Sequence, residues 1–176
     1  SGAGPVLSDG YALFEAAHHA NLGTAELSAE SWEAASAAIY NQTMLTAAGE
    51  TAPRLALDAR YLLVPRALRL TAMRILYPSF ERESGIFSEN LQRGEAGDVI
   101  TVPEFSDANN WAAAADPRLA PAIIVGERFG LQPEIFVAGD ETSPAMFTND
   151  EVRLKVRHFL SVFVADHRPL YKANVA

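Results

Sequence analysis

Apolar side chains recur every three to four residues over residues 29–48, the spacing of a helix that buries one face. The core members of this stripe are Trp32, Ala35 and Ile39. Ser28 precedes the stripe as an N-cap, because a serine hydroxyl accepts a hydrogen bond from an N–H of the first turn. Gly49 follows it. The pattern therefore predicts a helix over residues 29–48.

A compact apolar run, RYLLVP at residues 60–65, predicts a buried strand that ends at a proline. Pro65 is well placed at the first turn of a following helix, where its missing N–H costs nothing. That helix is predicted to end near Tyr77 and to turn these side chains inward: Leu68, Ala72, Ile75 and Leu76. Residues 5–25 contain turn residues instead, and predict a short strand or turn followed by a loop.

Residues 78–97 form a polar stretch with glycines and both signs of charge, which predicts a long exposed loop. A mixed run of glutamates and arginines is most typical of a solvated loop. It is also compatible with charged contacts between subunits.

From Asp98 onward the pattern changes to short β segments, namely VITVPEF, WAAAA, AIIVGE and EIFVA. The last segment, residues 151–166, carries both a helical stripe and a strict alternation of apolar and polar positions. Its β-branched content and unbroken alternation favour a strand. The inward face of that strand is then Val152, Leu154, Val156, His158, Leu160, Val162 and Val164. Helices early and strands late predict an α+β fold.

Composition narrows the class of protein. The chain has 176 residues, enough for one domain or a domain with a lobe, and no cysteine, which excludes disulfides and thiolate chemistry. Its net charge is −8 and lysine occurs only at 155 and 172. Because binding to the phosphates of nucleic acid depends on clustered positive charge, this composition argues against a DNA-binding domain. The same charge says nothing against a wall that must enclose nucleic acid without binding it tightly. No apolar run is long enough to predict a membrane span.

Motifs that carry catalytic chemistry are missing from the sequence: G-x-S-x-G, the P-loop, G-x-G-x-x-G and H-E-x-x-H. Ser8, His18 and Asp166 can be combined into a triad on paper, but nothing in the sequence places them together. The adjacent His18 and His19 point in different directions in either a helix or a strand, so they are poorly placed to chelate one ion. We therefore expect them to have a structural role in a turn, and we expect no catalytic, cofactor-binding or metal site.

Four stretches, in order, resemble one protein family: VLSDGYALFEAAHHANLG, RYLLVPRAL, ITVPEFSDANNWAAAADP and EVRLKVRHFLSVFVADHRPLYKANV. The first stretch is similar to the family pattern D-G-x-x-L-F followed by His and by Asn-Leu, and the second to L-L-V-P-x-x-L. The third is similar to V-x-P-x-L followed by Trp and by A-D-P, and the fourth to K-V-R followed by D-x-R and by Y-K-N. The family is the major capsid (head) proteins of tailed phages and prophages, of the Mu-like type and the type fused to a prohead protease.

The resemblance implies the HK97-like capsid fold. A peripheral P-domain is expected from residues 1–50, with the helix 29–48, and from a C-terminal strand in residues 146–176. An axial A-domain is expected from residues 51–145. In the family an N-terminal arm, an extended loop and a spine helix precede the matched region, so the chain is expected to be a fragment that lacks them.

The function that the resemblance implies is a structural subunit that joins copies of itself, as pentamers and hexamers, into an icosahedral shell around double-stranded DNA. Expected partners are a scaffold or prohead protease and DNA bound without sequence specificity, with no enzyme activity, no cofactor and no membrane. The expected location is the virion, and the bacterial cytoplasm during assembly. Two alternatives stay open: a hydrolase, such as the prohead protease part, and a small binding module with a deep apolar pocket.

Overall fold

The computed structural model describes residues 2–47, 50–78, 80–81, 88–89, 98–130 and 132–175. The architecture is mixed α+β. The chain divides into two compact units, one from Ser1–Ala122 with Val164–Ala176 and the other from Ile123–Phe163. Within the described residues, no helix is both long enough and apolar enough to span a bilayer.

The helices and strands of the described residues are numbered in chain order. The helices are α1 (Ala29–Tyr40), α2 (Arg69–Leu76) and α3 (Pro144–Asn149), with a turn of 3₁₀ helix (Arg66–Leu68) before α2. The strands are β1 (Leu22–Gly23), β2 (Ala59–Val64), β3 (Phe80–Glu81), β4 (Ser88–Glu89), β5 (Asp98–Thr101), β6 (Trp111–Ala115), β7 (Ile123–Arg128), β8 (Glu134–Ala138), β9 (Arg153–Arg157), β10 (Phe159–Val164) and β11 (Leu170–Ala173).

The larger unit is built on a five-stranded mixed sheet in the order β1-β11-β6-β2-β5. Strand β6 lies at its centre and runs antiparallel to both neighbours, β11 and β2. The two outer pairs, β1 with β11 and β2 with β5, are parallel. The last strand of the chain therefore lies between the first strand and the middle one.

One face of this sheet forms the main core with α1 and α2. Because alternate residues of a strand share a face, Leu62 and Val64 lie on the same side as Trp111 and Ala113. The alanines of β6 leave room for the helices to come close. The buried cluster is Leu27, Trp32, Ala35, Ile39, Ala59, Leu62, Val64, Ala72, Leu76, Trp111, Ala113, Ala115 and Ala173. Trp32 is thus a core residue, as predicted, and Trp111 lies in the same core.

The opposite face is covered by the N-terminal segment. Leu13 packs with Leu170 of β11 and with Ala122 in a second buried cluster. Phe14 and Ala114 pack against its edge. The N-terminal segment therefore packs on the side of the sheet formed by β6 and β11.

Helix α1 begins as predicted but ends earlier. The Ser28 hydroxyl accepts a hydrogen bond from the Ser31 N–H, and the Ser31 hydroxyl accepts one from the Ser28 N–H, so the two residues form a capping box. The helix ends at Tyr40, so the predicted extension to residue 48 is wrong. Backbone hydrogen bonds from Met44 N–H to Pro53 O (2.9 Å) and from Leu55 N–H to Gln42 O (2.8 Å) take the place of a longer helix.

The next predictions are confirmed in outline. Strand β2 and the helix after Pro65 are present, and Ala72 and Leu76 are buried. Within the predicted loop 78–97, residues 80–81 and 88–89 instead pair as the antiparallel strands β3 and β4. The other residues of 79–97 lie outside the described residues.

The smaller unit contains two separate two-stranded sheets, β7 with β10 and β8 with β9, together with α3. The strand interpretation of residues 151–166 is confirmed, although a break at His158 divides them into β9 and β10. The predicted inward face is wrong. His158 is exposed, and five of its six apolar members are exposed, while Val164 is intermediate. The alternation of apolar and polar residues shows that the apolar side chains share one face of the strand. It does not show whether the chain itself covers that face.

Candidate functional site

A tight turn at the start of the chain aims a carboxylate at a buried histidine. Gly10, with φ of 87°, donates its N–H to Leu7 O at 3.0 Å. Asp9 Oδ1 accepts a hydrogen bond from the Tyr11 N–H at 3.0 Å. This leaves Asp9 Oδ2 to contact His19 Nε2 at 2.8 Å. The backbone and His19 hydrogen bonds lower the pKa of Asp9 below its ordinary value.

His19 links this turn to the end of the chain. Its side chain is only 4% exposed. Besides Asp9, it contacts Leu13 O through Nδ1 at 3.3 Å. Its ring stacks on the ring of His167, with centroids 3.7 Å apart and planes inclined by 16°. Two segments from opposite ends of the chain thus meet at one pair of imidazoles.

His167 lies in the turn that leads into β11. Asp166 holds this turn, because its carboxylate accepts hydrogen bonds from the N–H of Arg168 at 3.0 Å and from its guanidinium at 3.1 Å. Burial lowers the pKa of His167 below 6.5, and the neighbouring His19 lowers it further. Asp166 and Asp9 act in the opposite direction with smaller effect.

Asn21 is the polar side chain that fastens these segments. It is buried, and its Oδ1 accepts a hydrogen bond from the Glu15 N–H at 3.0 Å. Its Nδ2 donates to Leu13 O at 2.9 Å and to His167 O at 3.4 Å. Asn21 belongs to the first stretch that resembles the capsid family, but the sequence predicts no role for it. A lone asparagine between apolar residues before a helix was the available signal, because a buried amide has to satisfy its hydrogen bonds.

His18 has different surroundings from its neighbour. It is exposed and stacks on Tyr11, with centroids 3.7 Å apart. Its Nδ1 lies 3.2 Å from Glu15 Oε2. His18 therefore pairs with Glu15 while Asp166 pairs with Arg168, so the triad written on paper from Ser8, His18 and Asp166 is not assembled.

Asp9, His19 and His167 are close enough to be tested as metal ligands, since one ligand atom from each lies within 4.8 Å of the others. A ligating imidazole binds the ion in its ring plane at about 2.0–2.1 Å. The planes of the two stacked rings are nearly parallel, with centroids 3.7 Å apart, so one ion cannot lie in both. The arrangement suits a hydrogen-bonded stack that joins two segments. The expected absence of a metal site stays a prediction.

Lys172 lines a shallow groove beside the same segments. Its ammonium group donates to Gly2 O at 2.7 Å, and burial lowers its pKa. The groove holds ≈ 160 Å³ and is also lined by residues 104–107 and Asn110. Small-molecule sites usually enclose about 300–1,000 Å³, so this groove is too small for such a ligand.

The smaller unit carries a surface of a different kind. In the ribbon formed by β8 and β9, Ile135 lies opposite Val156 and Val137 lies opposite Leu154. Directly opposite residues share a face, and Val152 continues the same face beside Gly139. These five side chains, which we call the aliphatic face, are between 57% and 69% exposed.

The other face of the ribbon is charged and aromatic. Arg157 forms an ion pair with Glu134 on the opposite strand, and its guanidinium carbon lies 4.3 Å from the ring centroid of Phe129. Lys155 lies over Phe136 at 4.8 Å. These cations are held by cation–π and ionic contacts. The ribbon therefore separates its charges from its aliphatic groups.

Comparison with protein families assigns the chain to a class. Residues 1–173 match the family described as phage capsid protein. The chain belongs to the phage capsid protein family, a class of structural proteins that form the phage head. No curated protein matches the chain.

Proposed function

We propose that the chain is a structural subunit of an icosahedral phage or prophage head with the HK97-like fold, which associates with copies of itself to enclose double-stranded DNA. The observation that carries the proposal is the family match over residues 1–173. The assignment of residues 1–50 and 146–176 to a P-domain and of 51–145 to an A-domain is part of this proposal.

Two properties of the chain support a shell role. The net charge of −8 limits tight binding to DNA phosphates, as a wall around packaged DNA requires. The smaller unit exposes many large apolar side chains, among them Ile135, Leu154 and Phe147. Monomeric soluble proteins rarely expose large contiguous apolar patches, whereas assembling subunits bury them against each other.

The alternatives lack a supporting observation in the described residues. A hydrolase needs a nucleophile and a base within hydrogen-bond reach, and His18 contacts Glu15 and Tyr11 instead. A small binding module needs a larger enclosed pocket than the groove beside Lys172.

Light scattering over a concentration series, with negative-stain electron microscopy of the same samples, tests the proposal. Rings, capsomers or closed shells with masses in multiples of the 19.0 kDa chain are the expected result. A mass of one chain at every concentration, with no particles on the grid, would contradict self-assembly by this chain.

A further inference from the structure

We propose that the aliphatic face of the β8–β9 ribbon binds the same face of a second copy of the chain. This inference rests on the proposed function, because it names the surface through which copies associate. It concerns Ile135, Val137, Val152, Leu154 and Val156. None of them belongs to the group formed by Asp9, His19 and His167, which we call the histidine cluster.

The aliphatic face of the β8–β9 ribbon is expected to be buried against another surface. Among the described residues, each of its strands has one hydrogen-bonded neighbour, since β8 and β9 form a two-stranded sheet. An isolated two-stranded sheet is marginally stable in water, and it becomes stable when further strands are added or when its apolar face packs against another element. With about two-thirds of their surface exposed, the five residues present on the order of 500 Å² of mainly apolar surface, within the roughly 300–600 Å² of the largest patches on monomers.

A second copy fits this surface because the face is complementary to itself. In a two-fold contact the same patch meets itself, so a patch of one charge sign would repel its partner. The aliphatic face contains no charged side chain, whereas Arg153, Lys155 and Arg157 point to the other side of the ribbon. Two of these cations are already paired, Arg153 with Glu151 and Arg157 with Glu134.

The available area is also appropriate. Two copies stacked face to face, with sheets about 10 Å apart, bury on the order of 1,000 Å² of mainly aliphatic surface between them. A specific interface needs about 1,000 Å² in total, with a polar rim around an apolar centre. The aliphatic faces of two copies therefore reach the lower size limit of a specific interface.

The overall charge distinguishes this contact from an electrostatic one. Each copy carries a net charge of −8, so whole chains repel each other at low ionic strength. Added salt screens that repulsion and leaves apolar contact intact. Self-association is therefore expected to strengthen as the salt concentration rises from about 0.05 to about 0.5 M, because the Debye length shortens over this range. Binding to a basic partner would weaken under the same change.

The first test compares two single leucine replacements by sedimentation velocity. Leu154 is 69% exposed and lies in the centre of the aliphatic face, and Leu119 is 76% exposed in a turn of the other unit. Leu154→Lys is expected to raise the concentration at half association at least tenfold. Leu119→Lys makes the same change of charge at a similarly exposed position, and it is expected to leave the concentration at half association unchanged. Circular dichroism spectra of both variants check that they fold.

The second test uses the absence of cysteine from the chain. A single Leu154→Cys substitution provides one thiol per copy, so any disulfide or bis-maleimide cross-link joins two copies. Oxidation is expected to give covalent dimers whose yield rises with protein concentration. Leu119→Cys is the matched control and is expected to stay monomeric on a denaturing gel.

The outcomes separate this inference from the proposed function. If the parent chain forms rings or shells, and Leu154→Lys forms them equally well while Leu154→Cys does not cross-link, the aliphatic face is not the contact and the head-subunit role stands. A parent chain that is monomeric at every concentration and gives no cross-link overturns both. Binding to lipid vesicles that Leu154→Lys abolishes, without a cross-link between copies, would assign the face to a membrane surface and overturn the inference.

Discussion

The imidazole rings of His19 and His167 stack with their centroids 3.7 Å apart, although one lies near the start of the chain and the other near its end. Asp9 holds the first ring at Nε2, and Asn21 reaches the backbone of the second. Strands β1 and β11 pair beside them. The N-terminal segment and the C-terminal strand are therefore one structural unit, and its stability depends on a few buried polar groups.

Acid is expected to weaken this unit through His167. Its pKa is lowered in the folded chain by burial and by His19, so the unfolded chain binds more protons. The stabilisation is complete above the unfolded value of about 6.5 and is lost as pH falls below it, toward the lowered folded pKa. Urea unfolding of the parent chain between pH 7.5 and 5 is expected to show a falling free energy of unfolding.

The His167→Gln variant is expected to flatten that dependence. The matched control is His158→Gln, because His158 is an exposed histidine in the other unit. A slope that His158→Gln reduces as much as His167→Gln would contradict the assignment. Asp9 and Glu15, whose pKa values are also lowered, contribute a separate loss of stability that begins only below their ordinary values of 3.8 and 4.5.

Removal of the Asn21 side chain is expected to destabilise the fold strongly. Asn21→Ala leaves the partly buried Glu15 N–H and the buried Leu13 O with fewer partners, and the cost is about 2–3 kcal/mol. Asn21→Asp keeps the acceptor for Glu15 but loses the donor, so its loss is also expected to be large. Chemical unfolding monitored by tryptophan fluorescence measures both, and a change below about 0.5 kcal/mol for Asn21→Ala would show that the side chain is dispensable.

Gly23 is expected to tolerate no larger residue while Tyr171 keeps its hydroxyl. A Cβ on Gly23 would lie 2.0 Å from Tyr171 Oη and 3.0 Å from Cζ. Gly23→Ala is therefore expected to cost about 1–3 kcal/mol through overpacking. Tyr171→Phe in the same chain removes the closest atom and is expected to recover part of that loss. A double-mutant cycle of unfolding free energies measures this coupling, and additive effects would contradict it.

Trp111 is expected to contribute both packing and a hydrogen bond. Its indole Nε1–H donates to Ala25 O at 3.0 Å, and its ring is buried in the main core. Trp111→Phe keeps most of the packing and is expected to cost about 1–3 kcal/mol through the lost bond. Trp111→Ala adds a cavity and is expected to cost about 3–5 kcal/mol. Equal losses for the two variants would show that the hydrogen bond dominates.

The sequence predicted the elements whose signals are local. The Ser28 cap, the stripe through Trp32 and Ile39, and the Pro65 helix start all depend on neighbours within a few residues. The predicted end of α1 at residue 48 was wrong, because backbone pairing between residues 42–44 and 53–55 replaces helical hydrogen bonds. That pairing is a tertiary effect, which helix propensity does not include.

The histidine cluster was only half predictable. A structural role for the turn at His18 and His19 follows from its local sequence, but the partner of His19 is separated from it by most of the chain. Nothing in the spacing of His167 points to His19, because their meeting depends on β11 pairing with β1. The exposed aliphatic face was missed for another reason: alternation in residues 152–164 identifies a uniform face and says nothing about whether the chain itself covers it.

The position of β11 has a consequence for the time at which the chain can fold. Residues 170–173 are synthesised after both of the strands that they join, β1 and β6. Until they leave the ribosome, the edge of β6 and the strand β1 have no partner, and the central sheet is open. Sheets closed by distant segments fold slowly, because the long loop must be closed before its contacts form. Completion of the sheet thus requires that synthesis has passed residue 173, and a nascent chain that is shorter than this keeps an open sheet edge.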